Sequence, residues 1–412
     1  MGVVIIGGGQ AGLQVADSLR AGGYTDAVTV LAEEAGLPYQ RPPLSKDYLA
    51  QGKEPAPLPL RGESFFADKD IDLRSGAAAV AVDRAARTVE LADGGTLAYD
   101  HLVFATGAAN RVLSCEGAEL EGVHGLKTLG DAERLHRALG AARNVVVVGA
   151  GFIGLEFAAA ARARGCGVTV LEFAARPMGR ALSAEMGAWF AAAHAGLGVA
   201  LRLGEGIERF DAGPDGRVAA AVSTAGTRYP ADLVVVGIGV VPNDALAAAA
   251  GLETANGIVV DGALRTADPA ALAVGDCASF PSAHAGARTR LESVQNATDQ
   301  GRHAARTILG AAAPYAELPW FWSTQGPFRL QIAGLSAPGD PTVRNGDPAG
   351  GKFSVLCFRD GRLAAVESVN SPADHMAARK LIAAGAGPTP EEAAADGFSL
   401  KAFSRALAPS LV

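Results

Sequence analysis

Val3-Val-Ile-Ile-Gly-Gly-Gly-Gln-Ala-Gly12 and Val145-Val-Val-Val-Gly-Ala-Gly-Phe-Ile-Gly154 decide the fold, because each is an apolar run that enters a Gly-x-Gly-x-x-Gly turn and leaves into an alanine-rich segment. The run reads as a buried strand and the segment after the turn as a helix. In such a turn the first glycine makes the tight bend, the second lets the backbone approach a pyrophosphate, and the third lets helix and strand pack closely. The N-H groups of the helix N-terminus then face the anion. A further strand is expected after each helix, at residues 27–31 and 168–171, which completes two βαβ units with parallel sheets. Glu33 and Glu172 end these strands roughly twenty residues past the last glycine, where a carboxylate accepts hydrogen bonds from ribose hydroxyls. A single fingerprint is a weak signal, since a glycine-rich turn with a solvated acid looks the same. Two of them, each with strand, helix and acid in register, are strong.

Working outward, strands are expected at residues 77–82, 88–91 and 101–105, the last running into Thr106-Gly107 and closing the first unit. The second unit closes in the same way at 232–236, which run into Gly237-Ile-Gly239. A strand ending in Gly275-Asp276 and a helix over 292–309 return to the first unit. From Pro319 the composition changes, with Trp320, Phe321, Trp322 and Phe328 close together and strand-like runs at 352–358 and 363–368. The fold class is therefore α/β, with two Rossmann-like dinucleotide-binding domains followed by a C-terminal α+β domain. The expected division is 1–108 with 239–318, the insertion 109–238, and 319–412.

The chain has 412 residues, 49% of them apolar, which is ample for several cores. A net charge of -7 argues against a nucleic-acid partner, which needs clustered Lys and Arg. No uninterrupted apolar run reaches membrane-spanning length, so no membrane association is expected. The first fingerprint begins so early that no leader is expected ahead of it, and the expected location is the cytoplasm. Cys115, Cys166, Cys277 and Cys357 are far apart and form no CxxC pair, so they read as reduced thiols, and His and Cys show no metal-ligand spacing. Two dinucleotide sites point to one tightly held flavin and one exchanging nicotinamide, since hydride transfer needs a donor and an acceptor. The fingerprints alone do not assign which unit takes which.

Further stretches carry a resemblance. Leu37-Pro-Tyr-Gln-Arg-Pro-Pro-Leu-Ser-Lys46, Ala105-Thr-Gly-Ala108, Gly149 to Glu156, Gly237-Ile-Gly-Val-Val-Pro-Asn243, Val274-Gly-Asp276, Glu292-Ser-Val-Gln-Asn296 and Pro319-Trp-Phe-Trp-Ser323 occur in this order. Together they resemble the oxygenase-coupled ferredoxin reductases nearly end to end. The resemblance implies FAD in the first unit, NADH in the second, and a 2Fe-2S ferredoxin as acceptor serving a haem monooxygenase or a ring-hydroxylating dioxygenase. It puts FAD on Gly7, Gly9, Ala11, Gly12, Glu33, Arg41, Lys46, Lys127, Asp276, Glu292, Val294 and Trp320. It puts NADH on Gly149, Gly151, Ile153, Gly154, Glu156, Glu172, Arg180 and Gly239.

The resemblance also implies that Lys46 lies near the flavin N5 edge, with Glu156 reaching it from the opening turn of the second helix. No acid or base is needed for hydride transfer, so "catalytic" for Lys46 and Glu156 means tuning. An acid in a first helical turn also gains from the helix dipole with no function at all. Asp276 reads equally as a helix cap. Trp320 and Trp322 read as residues that shield the flavin and meet the ferredoxin, or as core. Lys127 stands where relatives carry Arg, and Thr324 where they carry Asp. Three rivals share the fold. A disulfide reductase lacks its cysteine pair here. A flavin reductase of a quinone, an organic radical or oxygen stays open, because fold does not fix the acceptor. A redox-responsive binding protein shares the Arg-Pro-Pro-Leu-Ser-Lys segment, but the targeting sequence, long insertion and basic surface expected of one are not read here.

Overall fold

A computed structural model describes residues 1–49 and 58–407. It divides into two compact units. The first comprises Met1–Gln40, Pro57–Ala109 and Val240–Pro319. Its central sheet has five parallel strands in the order Ala271–Ala273, His101–Phe104, Val3–Ile6, Val28–Ala32, Asp72–Ser75. Every residue of Val3–Ile6 and Val28–Ala32 is buried, as expected where helices cover both faces of a parallel sheet. Helix Gln10–Ala21 packs against helix Val294–Ile308. A Cβ on Gly301 would stand 2.9 Å from the carbonyl oxygen of Ala11, so only glycine allows this approach. The second helix begins at Val294 and not at Glu292, because the Ser293 hydroxyl caps it by accepting the Asn296 N-H.

The second unit comprises Arg41–Ala56, Asn110–Gly239 and Trp320–Val412. It contains a second five-stranded parallel sheet, ordered Val199–Leu203, Gly167–Glu172, Asn144–Val148, Leu233–Val236, Val123–Gly125. It also contains a five-stranded antiparallel sheet ordered Trp320–Gln325, Phe328–Gly334, Arg362–Val369, Lys352–Arg359, Thr342–Asp347. Helix Pro372–Ala383 covers that sheet with Ala378 and Leu381, which join Leu356, Phe358 and Val366 in one core. No described helix is long and apolar enough to cross a membrane.

The same helix buries a titratable ring. His375 is 2% exposed and neither ring nitrogen has a hydrogen-bond partner among the described residues. Burial, reinforced by the guanidiniums of Arg379 and Arg329, pushes it down from 6.5 to about 4. A histidine held neutral in the fold costs stability once the unfolded chain takes up a proton, so stability is intact above pH 6.5 and falls as pH drops toward 4. The window corresponds to about 3 kcal/mol. His375→Leu is expected to remove that much of the acid-induced loss, read from denaturant midpoints across this range. An unchanged pH dependence would contradict it.

Candidate active site

The glycines of both fingerprints are dictated by backbone contacts. Gly7 has φ +119°, and a Cβ there would lie 2.1 Å from the Ala105 carbonyl oxygen. A Cβ on Gly12 would lie 2.0 Å from the carbonyl oxygen of Gly7, whereas one on Gly9 would meet nothing within 4 Å. The second unit repeats this: a Cβ on Gly149, at φ +102°, would stand 2.5 Å from the Gly237 oxygen, and one on Gly154 2.1 Å from the Gly149 oxygen. At Gly151 the nearest atom would be 3.8 Å away. Gly9 and Gly151 are the N-cap residues of helices Gln10–Ala21 and Phe152–Ala163, with no side-chain cap and no acid in either first turn. The first glycine therefore lets the loop lie against the end of the neighbouring strand and the third lets the helix close onto the loop, while the middle one keeps open a concavity at the helix N-terminus. Both cradles fit a dinucleotide pyrophosphate.

At the strand ends the two acids differ. Glu33 is exposed just after Val28–Ala32. Glu172 is half-buried and already holds backbone: one oxygen accepts the Ala150 N-H at 2.7 Å and the other the Ala174 N-H at 2.8 Å. It thus ties the glycine loop to its strand, a role its spacing does not reveal, and each oxygen keeps acceptor capacity for a ribose hydroxyl. Arg176 is committed elsewhere, donating to the carbonyls of Leu182 and Gly179, both at 2.9 Å. Arg180 is exposed, with a guanidinium nitrogen 3.0 Å from where a Cβ of Gly239 would stand. Phe173, next to Glu172, is 80% exposed. Ile153 is also exposed, in the first turn of its helix.

Lys46 and Glu156 meet. The ammonium lies 2.7 Å from one carboxylate oxygen, which also accepts the Ser45 hydroxyl at 2.5 Å. The other oxygen accepts the Ser323 hydroxyl at 2.6 Å. The helix starts at Phe152, so Glu156 is not in the opening turn, and the helix-dipole explanation, which decays within that turn, loses its force. Its carboxylate is only 4% exposed against 18% for Lys46, and it is held by specific donors. Arg41 donates to the Lys127 carbonyl at 2.8 Å, and the Lys127 N-H is held by Asp131.

In the first unit, Asp276 lies inside the 3-10 turn Gly275–Cys277 and not at a strand end, since the strand stops at Ala273. Val274 is the N-cap residue of that turn, which removes the simple capping role for Asp276. Gly275 meets the first fingerprint there: its Cβ would be 3.0 Å from Ala11 Cβ. Glu292 is exposed and pairs with Arg290 at 2.8 Å, while Val294 opens its helix. In the second unit, Trp320 is half-buried, with the Arg379 guanidinium 4.5 Å from its ring centre and the Trp322 ring at 5.5 Å.

Lys46→Met would leave the Glu156 carboxylate buried with hydroxyl donors and no countercharge. A loss of about 3 kcal/mol is expected, most of it recovered in Lys46→Met/Glu156→Leu. Chemical denaturation of both variants checks this. A Lys46→Met protein as stable as the parent would contradict it.

A family model described as pyridine nucleotide-disulphide oxidoreductase matches residues 1–301, and one described as reductase C-terminal matches 320–404. Rhodocoxin reductase of Rhodococcus erythropolis is 50% identical over 401 residues, covering 97% of this chain and 94% of its own. A ferredoxin reductase from Rhodopseudomonas palustris superposes with a TM-score of 0.95 at 47% identity, over 98% of this chain and 99% of that one. The reductase in the covalent complex of putidaredoxin reductase with putidaredoxin gives 0.94 at 37% identity, over 98% of each chain. With two dinucleotide cradles, two parallel sheets and matches along nearly all its length, the chain belongs to the pyridine nucleotide-disulphide oxidoreductase family.

Proposed function

We propose that this protein is an FAD-dependent NADH:ferredoxin oxidoreductase that supplies a 2Fe-2S ferredoxin serving an oxygenase. The observation that carries the reading is the pair of equivalent glycine cradles in a chain whose four cysteines are all free. Two dinucleotides have a place, but a disulfide to receive the electron pair does not exist. The names of the similar proteins, reductases of rhodocoxin and putidaredoxin, support an external iron-sulfur acceptor. FAD, when bound, accepts two electrons from a hydride donor and releases them one at a time.

The chain's own residues hold and orient. Gly7, Gly9, Ala11 and Gly12 admit the FAD pyrophosphate, and Glu33 its ribose, with Arg41, Lys127, Asp276, Glu292, Val294 and Trp320 as further contacts. Gly149, Gly151, Ile153 and Gly154 admit NADH, Glu172 its adenosine ribose, and Arg180 and Gly239 line its path. Lys46 and Glu156 form the tuning pair. The division into residues 1–108 with 239–318 for FAD, 109–238 for NADH and 319–412 for the C-terminal part belongs to the same proposal, as does a cytoplasmic location.

The reading is tested with the yellow holoprotein, NADH and a panel of 2Fe-2S ferredoxins. Turnover is expected to rise at least about tenfold when the cognate ferredoxin is added. NADH consumption that proceeds as fast with a quinone or oxygen alone would favour a small-molecule reductase.

Coenzyme choice follows from Glu172. At an effective dielectric of about 20, a 2'-phosphate about 4 Å from its carboxylate is repelled by roughly 4 kcal/mol, so after screening a preference for NADH of about two to three orders of magnitude is expected. The bonds of Arg176 to two carbonyls compete with a bidentate grip on that phosphate, and the exposed Arg180 is the guanidinium that would narrow the preference. Glu172→Gln keeps one of the two backbone acceptors and should narrow the ratio of kcat/KM chiefly by gaining NADPH activity. Equal use of both coenzymes by the parent, or an unchanged ratio in the variant, would reduce Glu172 to a loop anchor.

A further inference from the structure

The third donor to Glu156 comes from far along the chain and has a buried row of polar groups behind it. Gln325 Nε2 lies 3.2 Å from Ser323 Oγ, and His194 Nε2 lies 2.8 Å from Gln325 Oε1. Ser323, Gln325 and His194 are each 0% exposed. The direction of the row follows from which atoms hold hydrogens. The Gln325 amide nitrogen only donates, so Ser323 accepts there and its single hydroxyl hydrogen goes to Glu156. The amide oxygen only accepts, so His194 carries its proton on Nε2. The Met178 sulfur, 3.3 Å from the amide nitrogen, agrees with this orientation. His194 Nδ1 has no partner among the described residues, and burial favours the neutral ring. Every hydrogen bond in the row points one way, toward the carboxylate.

Such a row costs desolvation at each member, and apolar groups of the same shape would fill the space as well or better. Its members come from different elements: Ser323 and Gln325 share one face of strand Trp320–Gln325, and His194 lies in the last turn of helix Ala184–Gly196. We propose that Ser323, aligned by Gln325 and His194, is a positioning residue for Glu156. It fixes the carboxylate so that its other oxygen takes Lys46 and Ser45, and thereby fixes the Lys46 ammonium for the NADH half-reaction. The inference rests on the function proposed above.

The test is rapid-mixing reduction of the holoprotein by NADH in Ser323→Ala, Glu156→Gln, the double variant and Ser323→Thr, with the flavin midpoint potential of each. Ser323→Ala is expected to lower the limiting rate about tenfold, the scale of one hydrogen bond to a charged group, with half-saturating NADH within about twofold of the parent. Its potential should move in the same direction as that of Glu156→Gln. Ser323→Thr should restore the rate. Added to Glu156→Gln, Ser323→Ala should cost nothing more, because a residue acting through another has no effect once that other is gone. A parental rate in Ser323→Ala, or a loss that persists undiminished in the double variant, overturns the proposal. If Ser323→Ala fails to fold, Gln325→Met cuts the row one link back and is judged by the same criteria. Full speed in Glu156→Gln would sink the assignment of the tuning pair itself, whereas a slow Glu156→Gln beside a fast Ser323→Ala removes the row alone.

Discussion

The pairing of a carboxylate whose side chain is 4% exposed, on the helix that follows a dinucleotide fingerprint, is the interaction on which the second unit's chemistry depends. Glu156 would be intolerable there alone, since an unpaired buried charge is among the most destabilising features a fold can contain. The same helix offers its N-terminus to a pyrophosphate, and a second negative charge nearby raises the cost further. Lys46 supplies the countercharge, and Ser45 and Ser323 add hydroxyl donors. Three separate parts of the chain must therefore arrive together. An arrangement that is expensive to build and gains nothing for packing is best explained by what it does to a bound dinucleotide.

The two cradles impose a complementary constraint. In each, the first and last glycines are forced by a carbonyl oxygen closer than any Cβ tolerates, and the middle glycine keeps the concavity open. The two copies use one solution, so the chain presents two equivalent places for a pyrophosphate. Relatives on this fold that pass electrons to a disulfide need paired cysteines, and here all four thiols are free. The electron pair therefore has to leave for another molecule.

Much of this was legible in the sequence because it is local. Strand, glycine turn and helix follow one another within a few residues, and both fingerprint strands begin the elements expected of them. The boundaries missed were set by single groups: the Ser293 hydroxyl starts a helix two residues later than its pattern, and the 3-10 turn at Gly275 shortens the strand before Asp276. What the sequence could not disclose is long-range. Ser323 closes one of the stretches that carry the resemblance, but nothing there ties it to Glu156, and Gln325 and His194 have no spacing relative to that acid, so only folding brings the three into line. That Arg176 spends its guanidinium on the carbonyls of Leu182 and Gly179 is likewise invisible in the spacing. The position of Glu172 suggests a ribose acid, but its grip on the Ala150 N-H needs the loop's three-dimensional path.

The account's central claim is that a hydride's electron pair enters from NADH and leaves as single electrons to an iron-sulfur carrier. Anaerobic double mixing tests it most directly: the holoprotein is first reduced with one equivalent of NADH, then mixed with excess oxidised 2Fe-2S ferredoxin while both chromophores are followed. The account predicts that two ferredoxins are reduced for each NADH consumed, within the turnover time. A reduced flavin that persists in the presence of every ferredoxin tried, yet reoxidises at once on adding a quinone or oxygen, would contradict it.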